Sequence, residues 1–240
     1  MKIPFIGGQS KRRSVNQSAQ QTVNLYLEID GAEKDTNAAL YMVPGKRLFA
    51  SVGDGPIRGM IAWGEIVIVV SDDDVYRLDS GGTATLIGTI TSSGEMVSMA
   101  AGSSAIVIAD NGPAWSTDGF TVSSISDADY LGSNTVTYQD GYFVFHQADT
   151  RTLFITSGLD SLSIDGLDLA QSESGFDPIV AVISDHQELW VLCQSRAEVW
   201  YNSGATDFPF ARRDGAMIEA GCIAPMSVAQ IDNSIIRLGR

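Results

Sequence analysis

The chain has 240 residues, a net charge of −14, 44% hydrophobic and 18% charged residues. It is too apolar for a disordered chain, has no apolar run of about eighteen residues to cross a membrane, and has the wrong charge for gripping phosphates tightly. Cys193 and Cys222 cannot make a disulfide framework and read as two buried thiols in a reducing compartment.

Residues 1–52 form a leader or arm of their own texture. Its opening is polar and basic: Lys2, Lys11, Arg12 and Arg13 precede any acid, and all 29 acids fall from Glu28 onward. A basic arm ahead of an acidic body predicts docking of Lys11, Arg12 and Arg13 onto an acidic surface of a neighbouring copy; a solvated flexible terminus is the plain alternative. Val23–Ile29 alternates and predicts a strand closed by a turn at Asp30–Gly31, and Leu40–Val43 predicts a second, stopped by Pro44–Gly45.

From residue 53 to 240 a strand-turn-strand unit recurs about every forty residues, a period that marks a ring or stack of small sheets. Ile57–Trp63 turns at Gly64–Glu65 into Ile66–Val70; Val97–Ala100 turns at Gly102–Ser103 into Ile106–Ile108. Val136–Tyr138 turns at Asp140–Gly141 into Tyr142–Phe145, and Ile179–Val182 turns near His186 into Leu189–Leu192. A fifth copy runs from Ser227 to Ile236, turns at Asp232–Asn233, and reads like a strand cut short at Arg240. Third strands follow at Val75–Leu78, Leu153–Thr156 and Glu198–Tyr201, and fourth strands at Ala84–Ile90 and Phe120–Val122. The second strands are continuous apolar runs, as burial on both faces requires. The expected fold is all-β: a β-propeller-like array of about four and a half four-stranded antiparallel blades, an incomplete ring. Its open flank calls for a partner, for the leader strands, or for more chain after Arg240. Residues 159–176 read as the longest irregular stretch, with room for one helical turn.

The pattern search for chemistry is nearly empty. Of two histidines, His186 falls in a turn and His146 at the end of a β run. Cys-x-x-Cys, His-Glu-x-x-His, Gly-x-Ser-x-Gly and a phosphate-binding loop are all missing, so no metal, cofactor or catalytic residue is expected. Asp72-Asp73-Asp74 reads as a solvated turn, with weak calcium binding as the minority reading. Trp115–Phe120 has part of a sialidase-type turn, and Trp63, Trp115, Trp190 and Trp200 are candidate sugar platforms, with core packing the stronger expectation for Trp190 and Trp200.

The leader adds a more specific signal. Pro4-Phe5-Ile6-Gly7, Arg13-Ser14-Val15-Asn16, Thr22–Tyr26 with Glu28, Ala39-Leu40-Tyr41 and Pro44-Gly45 resemble the opening of a phage structural family. The similarity continues through Gly55–Gly59 and Asp140–Phe143 and is strongest in Asp185–Trp190 and Glu198–Gly204. It runs on through Asp207–Phe210, Gly221-Cys222 and Val228-Ala229. The family is that of the packaged-DNA stabilisation proteins, also called tail accessory factors or tail nozzles of short-tailed phages. The resemblance implies a non-enzymatic virion protein of the tail, assembled in the host cytoplasm, and a chain that is a truncated copy. It also implies partners: other copies in a hexameric ring, the portal-adaptor ring, a tail needle or plug, and fibre or spike proteins. The acid excess adds that the duplex is repelled by a channel wall and not held by phosphate contacts. Two other readings stand beside it: a carbohydrate-binding or glycan-cleaving propeller, which needs facing acids and exposed aromatics, and a generic scaffold propeller.

Overall fold

The continuous apolar runs become inner strands because neighbouring strands take their backbone bonds and the sheets on either side cover both faces. The computed structural model describes residues 24–30, 37–159, 162–173, 175–232 and 234–239. The chain packs as two units, Met1–Phe49 and Ala50–Arg240.

In the first unit, β1 (Leu25–Asp30) pairs antiparallel with β2 (Asn37–Met42). Tyr26 and Tyr41 face each other and stack with ring centroids 5.6 Å apart. The second strand begins three residues earlier than its apolar run; Gly31, of the expected turn, lies outside the described residues.

The second unit is a series of up-and-down sheets. Blade I holds β3 (Ile57–Trp63), β4 (Ile66–Ser71), β5 (Asp74–Leu78) and β6 (Ala84–Thr89). Blade II holds β7 (Ser98–Ala101), β8 (Ile106–Ala109), β9 (Ala114–Thr117) and β10 (Val122–Ser124). Blade III holds β11 (Ser133–Gln139), β12 (Tyr142–Gln147), β13 (Thr152–Thr156) and β14 (Ile164–Gln171). Blade IV holds β15 (Ile179–Asp185), β16 (Glu188–Cys193), β17 (Ala197–Asn202) and β18 (Phe210–Ile218). A 3-10 turn at Pro225–Ser227 leads to a fifth, two-stranded sheet, β19 (Ala229–Ile231) and β20 (Ser234–Ile236). The first strands of successive blades adjoin, β3 with β7, β7 with β11 and β11 with β15. Serial four-stranded meanders set side by side on their first strands are the propeller arrangement.

Turn chemistry sets the register. Asp140 and Gly141, with φ of +51° and +93°, make the two-residue turn that joins β11 to β12, and Asp-Gly suits it because both residues need positive φ. The hydrophobic layers lie between blades and not within them. Ile68, Val70 and Val75 of blade I meet Ile106, Ile108 and Trp115 of blade II. Val107, Ala109 and Ala114 meet Phe143, Phe145 and Phe154. Val144, Leu153 and Ile155 meet Leu189, Val191 and Trp200. A smaller layer joins Leu192 and Ala197 of blade IV to Cys222 and Val228. Hydroxyls knit the adjoining first strands. Val136 N donates to Ser98 Oγ at 3.0 Å, Val182 N to Thr135 Oγ1 at 3.1 Å and Ser184 N to Thr137 Oγ1 at 2.9 Å. They satisfy amides that would otherwise be stranded at a sheet edge.

The structure corrects one expectation and sharpens another. The stretch 159–176 contains β14 and no helical turn among its described residues; the 3-10 turn lies at 225–227 instead. β14 escapes a pattern search because Asp165 and Gly166 sit in a register break between Phe154 and Thr156 of its partner strand. His146 lies one residue from the end of β12, as expected, and is 1% exposed, a burial that its place at the strand end does not announce.

Candidate functional site

Polar groups gather in three places in the second unit. The first lies between blades I and II. Arg58 of β3 places Nη2 2.5 Å from Oδ2 of Asp110, which follows β8, and the side chains are 2% and 0% exposed. Arg58 also donates from Nε to Glu95 O at 2.7 Å, from Nη1 to Asp72 O at 2.8 Å and from Nη2 to Ser93 Oγ at 3.1 Å. Ser93 donates its N–H to Asp110 Oδ2 at 3.2 Å and bonds its hydroxyl to Oδ1. A buried pair survives only when its remaining donors and acceptors are met, and here Ser93, Glu95 and the Asp72 carbonyl meet them.

The second place is the layer between blades III and IV. Glu198, fully buried, accepts from Trp200 Nε1 at 3.0 Å, while its Oε1 has no hydrogen-bond partner. On the blade III side, neither ring nitrogen of His146 has a partner, and burial pushes its pKa down to about 4. Folded His146 is therefore neutral at pH 7, whereas the unfolded chain takes up a proton near pH 6.5. Stability is expected to fall as pH drops from about 6.5 to 4, by about 3 kcal/mol in all. Replacing His146 with leucine should flatten that part of the stability curve; urea midpoints read from pH 4 to 8 check it, and an unchanged slope would show the imidazole is not the source.

The third is a groove of about 630 Å³ along the first strands, lined among others by Ser98, Thr137, Asp185, His186 and Gln230. Asp185 is the only carboxylate in that lining, and its Oδ1 lies 2.8 Å from His186 Nδ1. His186 and Gln187 form the β15–β16 turn with φ of +47° and +66°. Gln139 of blade III braces it, donating from Nε2 to Gln187 O at 2.8 Å. Hydroxyls, amides and one carboxylate can hold a polar surface; a facing pair of acids, as sugar cleavage needs, is not assembled among these lining residues.

The tryptophans are packing groups. Trp115 and Trp200 are buried, Trp190 is half-buried against the last apolar layer, and Trp63, also half-buried, donates from Nε1 to Gly102 O at 2.9 Å. Trp115 belongs to β9, a third strand that the sequence pattern passes over. Asp72, with φ of +53°, lies in the β4–β5 turn, and no group of three metal-binding side chains occurs among the described residues. Lys11, Arg12 and Arg13 lie outside the described residues. The Arg58–Asp110 pair and His146 carried no local sequence signal.

The sheets and their order define the class as an all-β propeller. Within that class the chain belongs to the Phage_stabilise family, described as "Bacteriophage P22 Gp10, beta-propeller", whose model matches residues 1–240. No curated protein matches it. Among solved structures, the computationally designed Ika8 protein is similar with a TM-score of 0.51 and 13% identity, over 90% of this chain and 65% of that one. The chain thus spans just under two thirds of that protein's length. YCF48 from Cyanidioschyzon merolae is similar with a TM-score of 0.51 and 11% identity, over 89% of this chain and 74% of that one. At such identities the likeness shows the fold alone.

Proposed function

We propose that this chain is a structural component of a phage tail, set as a nozzle or hub below the portal and its adaptor. In this role it helps retain packaged DNA and mounts the plug and fibres. Membership of a phage stabilisation family over the whole chain is the observation that carries the reading. Charge supports its physical side. Between Arg77 and Arg196 the only Lys or Arg is Arg151, whereas fifteen Asp and Glu fall there. Blades II and III therefore repel a duplex, so a channel built of them lets the genome slide while plugging retains it.

The basic arm has the opposite sign. Lys11, Arg12 and Arg13 dock on the acidic body of a neighbouring copy in a ring, hexameric on this reading. Reversing the three charges to glutamate is expected to weaken assembly about tenfold or more and to leave thermal unfolding unchanged. Unchanged assembly eliminates the arm. For the role itself, native mass spectrometry of the full chain with and without a portal-adaptor ring is expected to show ring oligomers bound to the adaptor. Failure to bind any adaptor, or tight salt-sensitive DNA binding by the protein alone, speaks against the nozzle and the repelling wall respectively.

A further inference from the structure

From Ala50 onward the sequence has no lysine, and every described arginine but one holds a hydrogen bond or an ion pair. The exception is Arg77, whose contact among the described residues is with an aromatic ring.

Strand pairing aims it. Arg77 of β5 stands opposite Ile68 of β4 and Thr85 of β6, and Ile68 faces blade II. Arg77 therefore points at blade II, and its Cζ lies 4.6 Å from the ring centroid of Phe120, in the β9–β10 turn. That turn is built to hold the ring. Asp118 Oδ1 accepts from the N–H groups of Phe120 and Thr121 at 2.9 and 2.8 Å. Gly119, with φ of +85°, comes so close to blade I that an added Cβ would stand 3.1 Å from Ile66 Cδ1. Arg77 and Phe120 wall a cleft of about 220 Å³ together with Asp79, Thr83 and Thr85. Asp79 forms no ion pair with Arg77; its Oδ1 accepts from Gly81 N and Thr83 N at 2.9 and 2.8 Å. Phe120 stays 67% exposed, a large apolar surface to leave in water for one cation–π contact.

Blade IV shows the same pair completed. Arg213 has its Cζ 5.9 Å from the Tyr201 centroid, and its Nη2 lies 3.1 Å from Glu188 Oε1. A guanidinium on a ring face keeps the N–H groups of its rim free, and a carboxylate can take two of them at once. At Arg77 the chain supplies the ring but no carboxylate. We infer that the Arg77–Phe120 cleft binds an acidic side chain, Asp or Glu, presented by a partner polypeptide. The glutamate of blade IV names the occupant. The acid excess of the surrounding blades repels such a side chain elsewhere and accepts it here, so one cation sets the register of a partner. A single exposed pair is weak; the cleft orients a partner that other surfaces hold.

The test uses the full chain, isotope-labelled, with capped glutamate (N-acetylglutamate N-methylamide) as the probe. Nuclear magnetic resonance is expected to show the Arg77 Nε–H signal shift and saturate at millimolar probe, while capped glutamine leaves it in place. Arg77→Gln identifies that signal by removing it. Arg77→Lys keeps the charge, loses the planar fork, and is expected to bind the probe about tenfold more weakly, read from the Phe120 ring signals. Phe120→Leu is expected to weaken binding about threefold. Neither change should shift the melting transition. A response equal to that of capped glutamine, or no saturation, overturns the site. Binding that both variants leave unchanged places the carboxylate elsewhere and overturns it too. Saturation at lower concentration by glucuronate or inorganic phosphate overturns the polypeptide acid in favour of a sugar acid or a phosphate group. None of these results bears on the nozzle role, which the adaptor-binding experiment decides.

Discussion

Replacing Asp110 with alanine is expected to destabilise the protein by about 3–5 kcal/mol, because it strands a buried guanidinium. Arg58 is 2% exposed at its side chain, so water cannot take over the lost partner. Ser93, which donates to Asp110 through its backbone, loses an acceptor at the same time. Arg58→Met should cost a similar amount by leaving the carboxylate with only Ser93 as donor. The double change Arg58→Met with Asp110→Leu is expected to recover part of the loss, since it leaves no uncompensated charge, while Ser93 and the Glu95 and Asp72 carbonyls still lose their partners. Urea unfolding of the wild type, Arg58→Met, Asp110→Leu and the double variant measures the cycle. A loss below about 1 kcal/mol for Asp110→Ala would show that the pair is solvated. Hydrogen exchange should localise the damage to β3–β6, because Arg58 joins blade I to the rest of the series.

Trp200→Ala is the second large effect, about 3–5 kcal/mol for the lost indole. The ring is 5% exposed and sits with Leu189 and Val191 against Val144 and Ile155. It also gives Glu198 its one side-chain hydrogen bond. Trp200→Phe separates the two contributions: most of the packing survives, the carboxylate loses its donor, and the cost should be about 1–3 kcal/mol. Trp190→Ala, at a half-buried position, should cost less than Trp200→Ala. Equal losses at both positions in denaturant would contradict the burial difference.

How far the sequence can be read depends on how local the signal is. The first two strands of each blade were legible because hairpins are local: an apolar run, a Gly or Asp turn, and a second run lie within about fifteen residues. Later strands were harder. β9 is four residues long and preceded by Pro113, and β18 carries Arg212, Arg213, Asp214 and Gly215 in its middle. β18 is the outer strand of blade IV and keeps one side in water, so its composition looks like loop; β9 is an inner strand, buried throughout, but too short and too polar at Ser116 and Thr117 to stand out. Both expected core tryptophans lie in strands, but only Trp200 is enclosed, since alternation alone does not tell which face a neighbour covers. The polar core was illegible. Arg58 and Asp110 are 52 positions apart and meet only because two blades stack. His146 sits one residue from the end of its strand, and no neighbour in sequence reveals that blade IV lies over it.

Placing the apolar layers between blades has a consequence for biosynthesis. A sheet that has just left the ribosome has made every one of its own backbone bonds and still shows a greasy side to the cytosol. It settles only when the following forty residues emerge and lie down on it. Maturation therefore trails translation by one module, and the most recently made module is always the one that a chaperone has reason to hold.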